Sequence, residues 1–190
     1  MNYSNELKCN SDIFNFFKPI HISEDLIITW LYQDQLEIES KMLFNVSNNI
    51  EVKEFLPGIF VNSEIEAKKK FVDLLGRQIF KHALTFCIRI TETKMPIGYV
   101  ILNSPISDYN LNEWVIDFWL IPKYRGGNIM TVAIYNILNY SKEKGIKSIL
   151  AQVESNNEKA LNLLSNLGFA EISNQFNKIK SEQIMFGVQL

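Results

Sequence analysis

Cysteine and histidine are scarce in this 190-residue chain, with two of each. Cys9 and Cys87 are too few for a disulfide framework, and two histidines do not make a histidine-based metal site, so no metal is assigned. Two lone thiols fit a reduced compartment, and a cytoplasmic protein is expected. No run reaches the roughly 18 consecutive apolar residues of a membrane span. Residues 1–10 lack the basic stretch and apolar core of a secretory signal, so no membrane partner is expected. A dominant charge is missing as well: 19 basic and 21 acidic residues leave a formal charge of -2. That balance gives no support to a large nucleic-acid footprint, and no nucleic-acid partner is expected. Two nucleotide-binding signatures are also missing. There is no GxxxxGK[ST], and no GxGxxG follows an early strand.

What is present is an apolar content of 47% with 23 aromatics (3 Trp, 7 Tyr, 13 Phe), enough for a folded core without staples. Residues 1–23 read as an N-terminal arm or extension, with Phe14, Phe16 and Phe17 clustered before Pro19. Residues 24–190 read as a single domain. Strand signals fall at 26–31 (LIITWL), 83–90 (ALTFCIRI), 97–102 (IGYVIL), 113–121 (EWVIDFWLI), 147–153, 169–172 and 183–190. The pair at 83–102, joined by the polar 91–94, reads as a hairpin, and 108–112 and the stretch before 183 read as loops. Helical spacing appears over 33–44. A further helix begins at Ser63 with Glu66 as capping box, and its apolar face carries Phe71, Leu74, Leu75 and Ile79. Asn48-Asn49 and Pro57-Gly58 mark an irregular connection. Another helix follows 128, with Ile129, Ala133, Ile137 and Tyr140 on one face. Ser155 with Glu158 predicts a second capping box, opening a helix that ends before Gly168. A helix between 113–121 and 147–153 makes these two strands parallel neighbours, within an α+β domain.

The turn between that strand and helix is the feature that points to chemistry. Tyr124-Arg125-Gly126-Gly127-Asn128 puts two glycines where the backbone can turn tightly and approach a ligand. The first-turn amides of the helix can then face an anion, and Arg125 can add a charge-assisted contact. The same residues also suit an ordinary surface loop.

Residues Pro122 to Thr131 (PKYRGGNIMT) resemble motif A of the GNAT superfamily of N-acetyltransferases, written (Q/R)xxGx(G/A). They look closest to the branch that holds the ribosomal-protein N-terminal acetyltransferases. Arg125 fits the first position, Asn128 replaces the central glycine, and Met130 takes the small sixth place. Asn157 through Gly168-Phe169 resembles the family's NxxSxxxxxxxGF segment, with Ala160 for serine, and Ile97-Gly98-Tyr99 precedes motif A as it does in the family. The resemblance covers about residues 24–190. It implies a mixed, splayed central sheet with helices on both faces and acetyl-CoA as acyl donor. The pyrophosphate would sit on the amides of Gly126, Gly127, Asn128, Ile129 and Met130. The backbone at Leu120 would orient the pantetheine, and Asn157, left free by a Ser155 cap, would touch the pantetheine or adenosyl arm. Asparagine tolerates a left-handed backbone better than most residues, so the turn can survive Asn128.

The activity implied is direct transfer of acetyl to a primary amine, on a small molecule or a protein N-terminus. A non-catalytic coenzyme-A-binding or interaction module with a degraded site is the alternative. Either a monomer or a homodimer is compatible. Many family members carry a tyrosine acid four residues before the GF glycine; here Leu164 stands there. For proton handling the candidates are Asp117, a charge inside an apolar strand, and Glu113. Alternation puts Glu113, Val115, Asp117 and Trp119 on one face of that strand. Cys87 reads as a packed thiol.

Overall fold

The computed structural model describes residues 11–47, 49–55, 59–107, 113–172 and 183–190, without the side chains of Ser11, Asp12 and Phe55. Cys9, Pro57-Gly58 and the loops expected at 108–112 and before 183 lie outside the described residues. The strands are β1 (Ile20–His21), β2 (Leu26–Trp30), β3 (Ala83–Ile90), β4 (Pro96–Asn103), β5 (Trp114–Leu120), β6 (Ser148–Glu154), β7 (Ala170–Glu171) and β8 (Gln183–Gln189). The helices are α1 (Leu36–Ser47), α2 (Ile50–Phe55), α3 (Glu64–Ile79), α4 (Ile129–Glu143) and α5 (Glu158–Asn166). One sheet contains all eight strands in the order β1-β2-β3-β4-β5-β6-β8-β7. Every neighbouring pair is antiparallel except β5 with β6. The α+β class, the mixed sheet and its parallel contact are as the sequence implied.

β4 is buried at every position and β3 at all but its last, because helices cover both faces of the sheet. Leu84, Phe86, Ile88, Val100, Leu102, Ile116 and Leu120 face one way and pack on Ile134 and Ile137 of α4 and Leu164 of α5. Ala83, Cys87, Tyr99, Ile101 and Trp119 face the other way, onto Met42 and Leu43 of α1 and Phe71 and Leu74 of α3. The period-2 assignment of β5 therefore holds, with Trp119 under α1 and α3 and Trp114, Ile116 and Leu120 under α4. Before β1, Ile13 and Phe17 are buried in the α4 core, and the Tyr140 hydroxyl donates to the Ile13 and Phe16 carbonyls.

The helix starts follow local chemistry. At α3 the Ser63 hydroxyl accepts from the Glu66 amide at 3.2 Å, and the Glu66 carboxylate accepts from the Asn62 amide. At α5 the expected Ser155 cap is incorrect. Ser155 and Asn156 form a turn closed by the Asn157 amide on the Glu154 carbonyl, and Asn157 is the cap, accepting from the Ala160 amide at 3.2 Å. The turn comes first because β6 runs to Glu154, which leaves Ser155 no room to start a helix. Two short elements lacked a sequence signal: β1, and α2 within the irregular connection. No helix among the described residues is long and apolar enough to cross a membrane.

Candidate active site

β5 bonds β4 from Gly98↔Leu120 to Asn103↔Val115, but it pairs with β6 only at Trp114↔Ile149 and Val115↔Leu150. β6 in turn stays with β8 along its full length, from Ser148↔Gln189 to Glu154↔Gln183. Each strand is therefore held on its outer side while the two diverge from each other beyond Val115 and Leu150. Because they are parallel, the gap opens at both carboxyl ends, where α4 and α5 begin. Unpaired strand backbone and two helix N-termini face one cleft.

The turn after β5 is built to expose backbone. Gly126 has φ +90°, which a side chain rarely adopts. Asn128 is left-handed as well, at φ 57° and ψ 10°, so asparagine holds the turn where the motif has glycine. The first internal bond of α4 runs from the Val132 amide to the Asn128 carbonyl at 2.9 Å. The amides of Ile129, Met130 and Thr131 precede it and have no carbonyl within the helix to bind. A Cβ on Gly127 would meet nothing nearer than the Ile129 side chain at 3.9 Å, so there is room in front of the turn.

Arg125 spans this opening. Its Nε donates to the Leu120 carbonyl at 3.0 Å, and its Nη1 forms an ion pair with Glu51 of α2. Lys159, in the first turn of α5, donates to the other Glu51 oxygen at 3.1 Å. The hydrogen bonds from Lys159 and Arg125 hold the Glu51 carboxyl below the usual carboxylate range. Glu51 carried no sequence signal: it is one of 21 acidic residues, and its partners lie 74 and 108 positions away. Asn157, two residues before Lys159 in the chain, has its side-chain oxygen committed to the cap, with Nδ2 left out of it.

The candidate carboxylates occupy different places. Asp117 is two residues beyond the last β5–β6 pair, half-buried on the α1 and α3 face. Its Oδ2 accepts from Asn103 Nδ2 at 2.8 Å, and Asn103 Oδ1 accepts from Arg77 of α3 at 2.9 Å, which orients the carboxylate. Glu113 precedes the paired residues, at the closed end of the gap, and accepts from the Ser148 hydroxyl at 2.8 Å. Four residue steps along the strand separate the two, about 13 Å. The structure therefore brings Asp117 to the point of divergence, with Leu120 and the 125–130 turn at the open end, and leaves Glu113 behind them.

Cys87 is fully buried beside Glu39 of α1, and burial pushes its thiol well above the usual range, which suits packing rather than nucleophilic attack. The same neighbourhood holds Arg89, completely buried and bonded to Glu39, Gln35, Thr29 and the Lys94 carbonyl. Burial raises the Glu39 carboxyl above its ordinary value against the pull of Arg89. Arg89 interrupts an apolar strand just as Asp117 does, so the same reasoning would have found it. A separate open cleft of about 470 Å³ lies between α1 and the end of β5, lined by Lys41, Asn45, Ile121 and Lys123 among others; none of the candidate site residues lines it.

Residues 34–170 match the profile of the acetyltransferase (GNAT) domain. No curated protein matches the sequence. Solved structures share the fold. A ribosomal L7/L12 α-N-protein acetyltransferase, in complex with coenzyme A, superposes with a TM-score of 0.75 at 15% identity, covering 91% of this chain and 98% of its own. The ribosomal-protein-S5-alanine acetyltransferase of Vibrio fischeri gives 0.70 at 17% identity over 91% and 97%. The microcin C7 self-immunity acetyltransferase, in complex with acetyl-CoA and AMP, gives 0.70 at 20% over 88% and 94%. With its domain profile, its diverging parallel pair and its intact turn, the chain belongs to the GNAT acetyltransferase family.

Proposed function

We propose that this protein is an acyl-CoA-dependent N-acetyltransferase that moves acetyl from acetyl-CoA directly to a primary amine on a small molecule or a protein N-terminus. The observation that carries the reading is the pairing of β5 with β6 at two positions only, with exposed first-turn amides at the mouth of the resulting gap. The pyrophosphate would take those amides, from Gly126 to Met130, with help from Arg125 and from Nδ2 of Asn157 toward the adjoining arm. The backbone at Leu120 would align the pantetheine. Relatives of this fold hold coenzyme A or acetyl-CoA, which supports the donor, and their acceptors include a ribosomal protein, which leaves both acceptor classes open.

Within this reading catalysis is mainly placement. An amine held against the thioester gains from lost translational freedom, and strand amides that face the gap stabilise the developing oxyanion. Asp117 would take the proton released by the attacking amine, on the α1 and α3 side of β5. Leu164, buried in the α5 core, stands where many family members carry a tyrosine acid, so another hydroxyl or water would protonate the departing thiolate.

Calorimetry with coenzyme A tests the donor site. Wild type should bind, and Gly127→Asp should bind at least about tenfold more weakly, because a carboxylate would occupy the anion's place. Gly127 lacks a positive φ and has open space, so this variant should fold, as circular dichroism can verify. A folded wild type that binds no coenzyme A rejects the reading. Mass spectrometry over a panel of amines then separates an enzyme from a binding module, since only the enzyme yields acetylated product.

A further inference from the structure

Three side chains from elements distant in sequence meet across the mouth of the gap. Arg125 lies five residues past the end of β5 and Lys159 five past the end of β6, so each stands on one of the two diverging lips. Glu51 of α2 joins them, one carboxylate oxygen to Arg125 Nη1 and the other to Lys159 Nζ at 3.1 Å. The Arg125 Nε meanwhile holds the Leu120 carbonyl at 3.0 Å, the strand group assigned above to the pantetheine. The two cations beside the first-turn amides are thus already bonded within the protein.

A carboxylate bridging two cations beside two helix N-termini has the chemistry of a bound phosphate. We propose that Glu51 is an internal stand-in for the donor's pyrophosphate, forming a clasp that coenzyme A opens by taking Arg125 and Lys159 from it. The inference rests on the donor-site reading above. Two cations cannot serve a carboxylate and a pyrophosphate equally, and a Glu51 left beside the phosphates would repel them. The exchange is accessible: the Glu51 side chain is 35% exposed and can turn into water. Val52 next to it is buried among residues of α1 and α3 and keeps α2 in place while Glu51 leaves. Between donor-binding cycles the clasp ties α2, the motif A turn and α5 together, so donor entry and the Glu51 side-chain contacts are coupled.

Calorimetry on Glu51→Gln decides the matter, with folding verified by circular dichroism. Loss of the competing charge should tighten coenzyme A binding at least about threefold over wild type. In a Lys159→Gln background the same substitution should gain less, because one of the contested cations is gone. If wild type binds and folded Glu51→Gln binds equally or more weakly, Glu51 only scaffolds the two cations and the clasp is overturned. If neither protein binds coenzyme A, the donor-site reading has failed and the clasp falls with it, a result distinct from the first.

Discussion

Along β5 the backbone is paired with β4 at six positions and with β6 at two. The seam with β4 is closed to the last atom: a Cβ on Gly98 would come within 2.6 Å of the Trp119 carbonyl and 2.7 Å of the Leu120 side chain. The side toward β6 is the reverse. Gly127 has open space, Asn128 is left-handed, and Glu51 joins the charged Arg125 and Lys159 across the mouth of the gap. One strand thus divides the labour of the domain. Its closed side holds the sheet together, and its open side leaves backbone groups for a ligand.

If the closed half carries the stability, its buried ion pair should be the most sensitive point. Glu39→Ala leaves Arg89 fully buried without its carboxylate and should cost about 3–5 kcal/mol in urea unfolding. A loss within experimental error would break the comparison. Gly98→Ala should cost about 1–3 kcal/mol through overpacking against Trp119 and Leu120. Gly127→Ala, on the open side, should stay within about 0.5 kcal/mol of wild type. Equal losses at the two glycines would remove the asymmetry.

Asp117 stands where the two sides part, and it sharpens the comparison in activity. With an acceptor identified, Asp117→Asn should lower turnover at least about tenfold, roughly 1.4 kcal/mol of transition-state stabilisation. Near-wild-type turnover of the folded variant rejects Asp117 as the base. Cys87→Ala should lose stability through packing yet keep its chemistry; a kinetically competent acetyl-Cys87 would overturn direct transfer.

A further effect lies where Tyr140 of α4 holds the N-terminal arm. Burial pushes the Tyr140 phenol up to about 12 from its ordinary 10, so its neutral form is favoured on folding. That contribution is complete below pH 10 and is lost as the pH rises toward 12. Tyr140→Phe should flatten the decline in stability over that window and cost about 1 kcal/mol below it, by removing the donor to Ile13 and Phe16.

The turn before α4 was the most legible part of the candidate site. Arg125, two glycines and Asn128 follow one another within four residues, and turn geometry depends on neighbours in the chain. Asp117 stood out because a charge in an apolar strand requires a partner, although Asn103, and Arg77 bonded to it in turn, could not be named. Asn157 was read as free for a ligand, yet its side-chain oxygen caps α5 because β6 extends to Glu154. Glu51 was invisible, since its whole significance lies in two cations brought to it by folding.

By itself the sequence determined what nearest neighbours decide: the alternating faces of β5, the Ser63 cap of α3, the β3–β4 hairpin, and a left-handed asparagine ahead of α4. These follow from backbone sterics and periodicity over a few residues. Only the tertiary structure decided how far β5 and β6 stay paired, because that depends on β4 and β8 pulling from opposite sides. It also decided which carboxylate meets which cation. Glu39 with Arg89 and Glu51 with Arg125 and Lys159 are joined across 50, 74 and 108 residues, distances over which local preference carries no information.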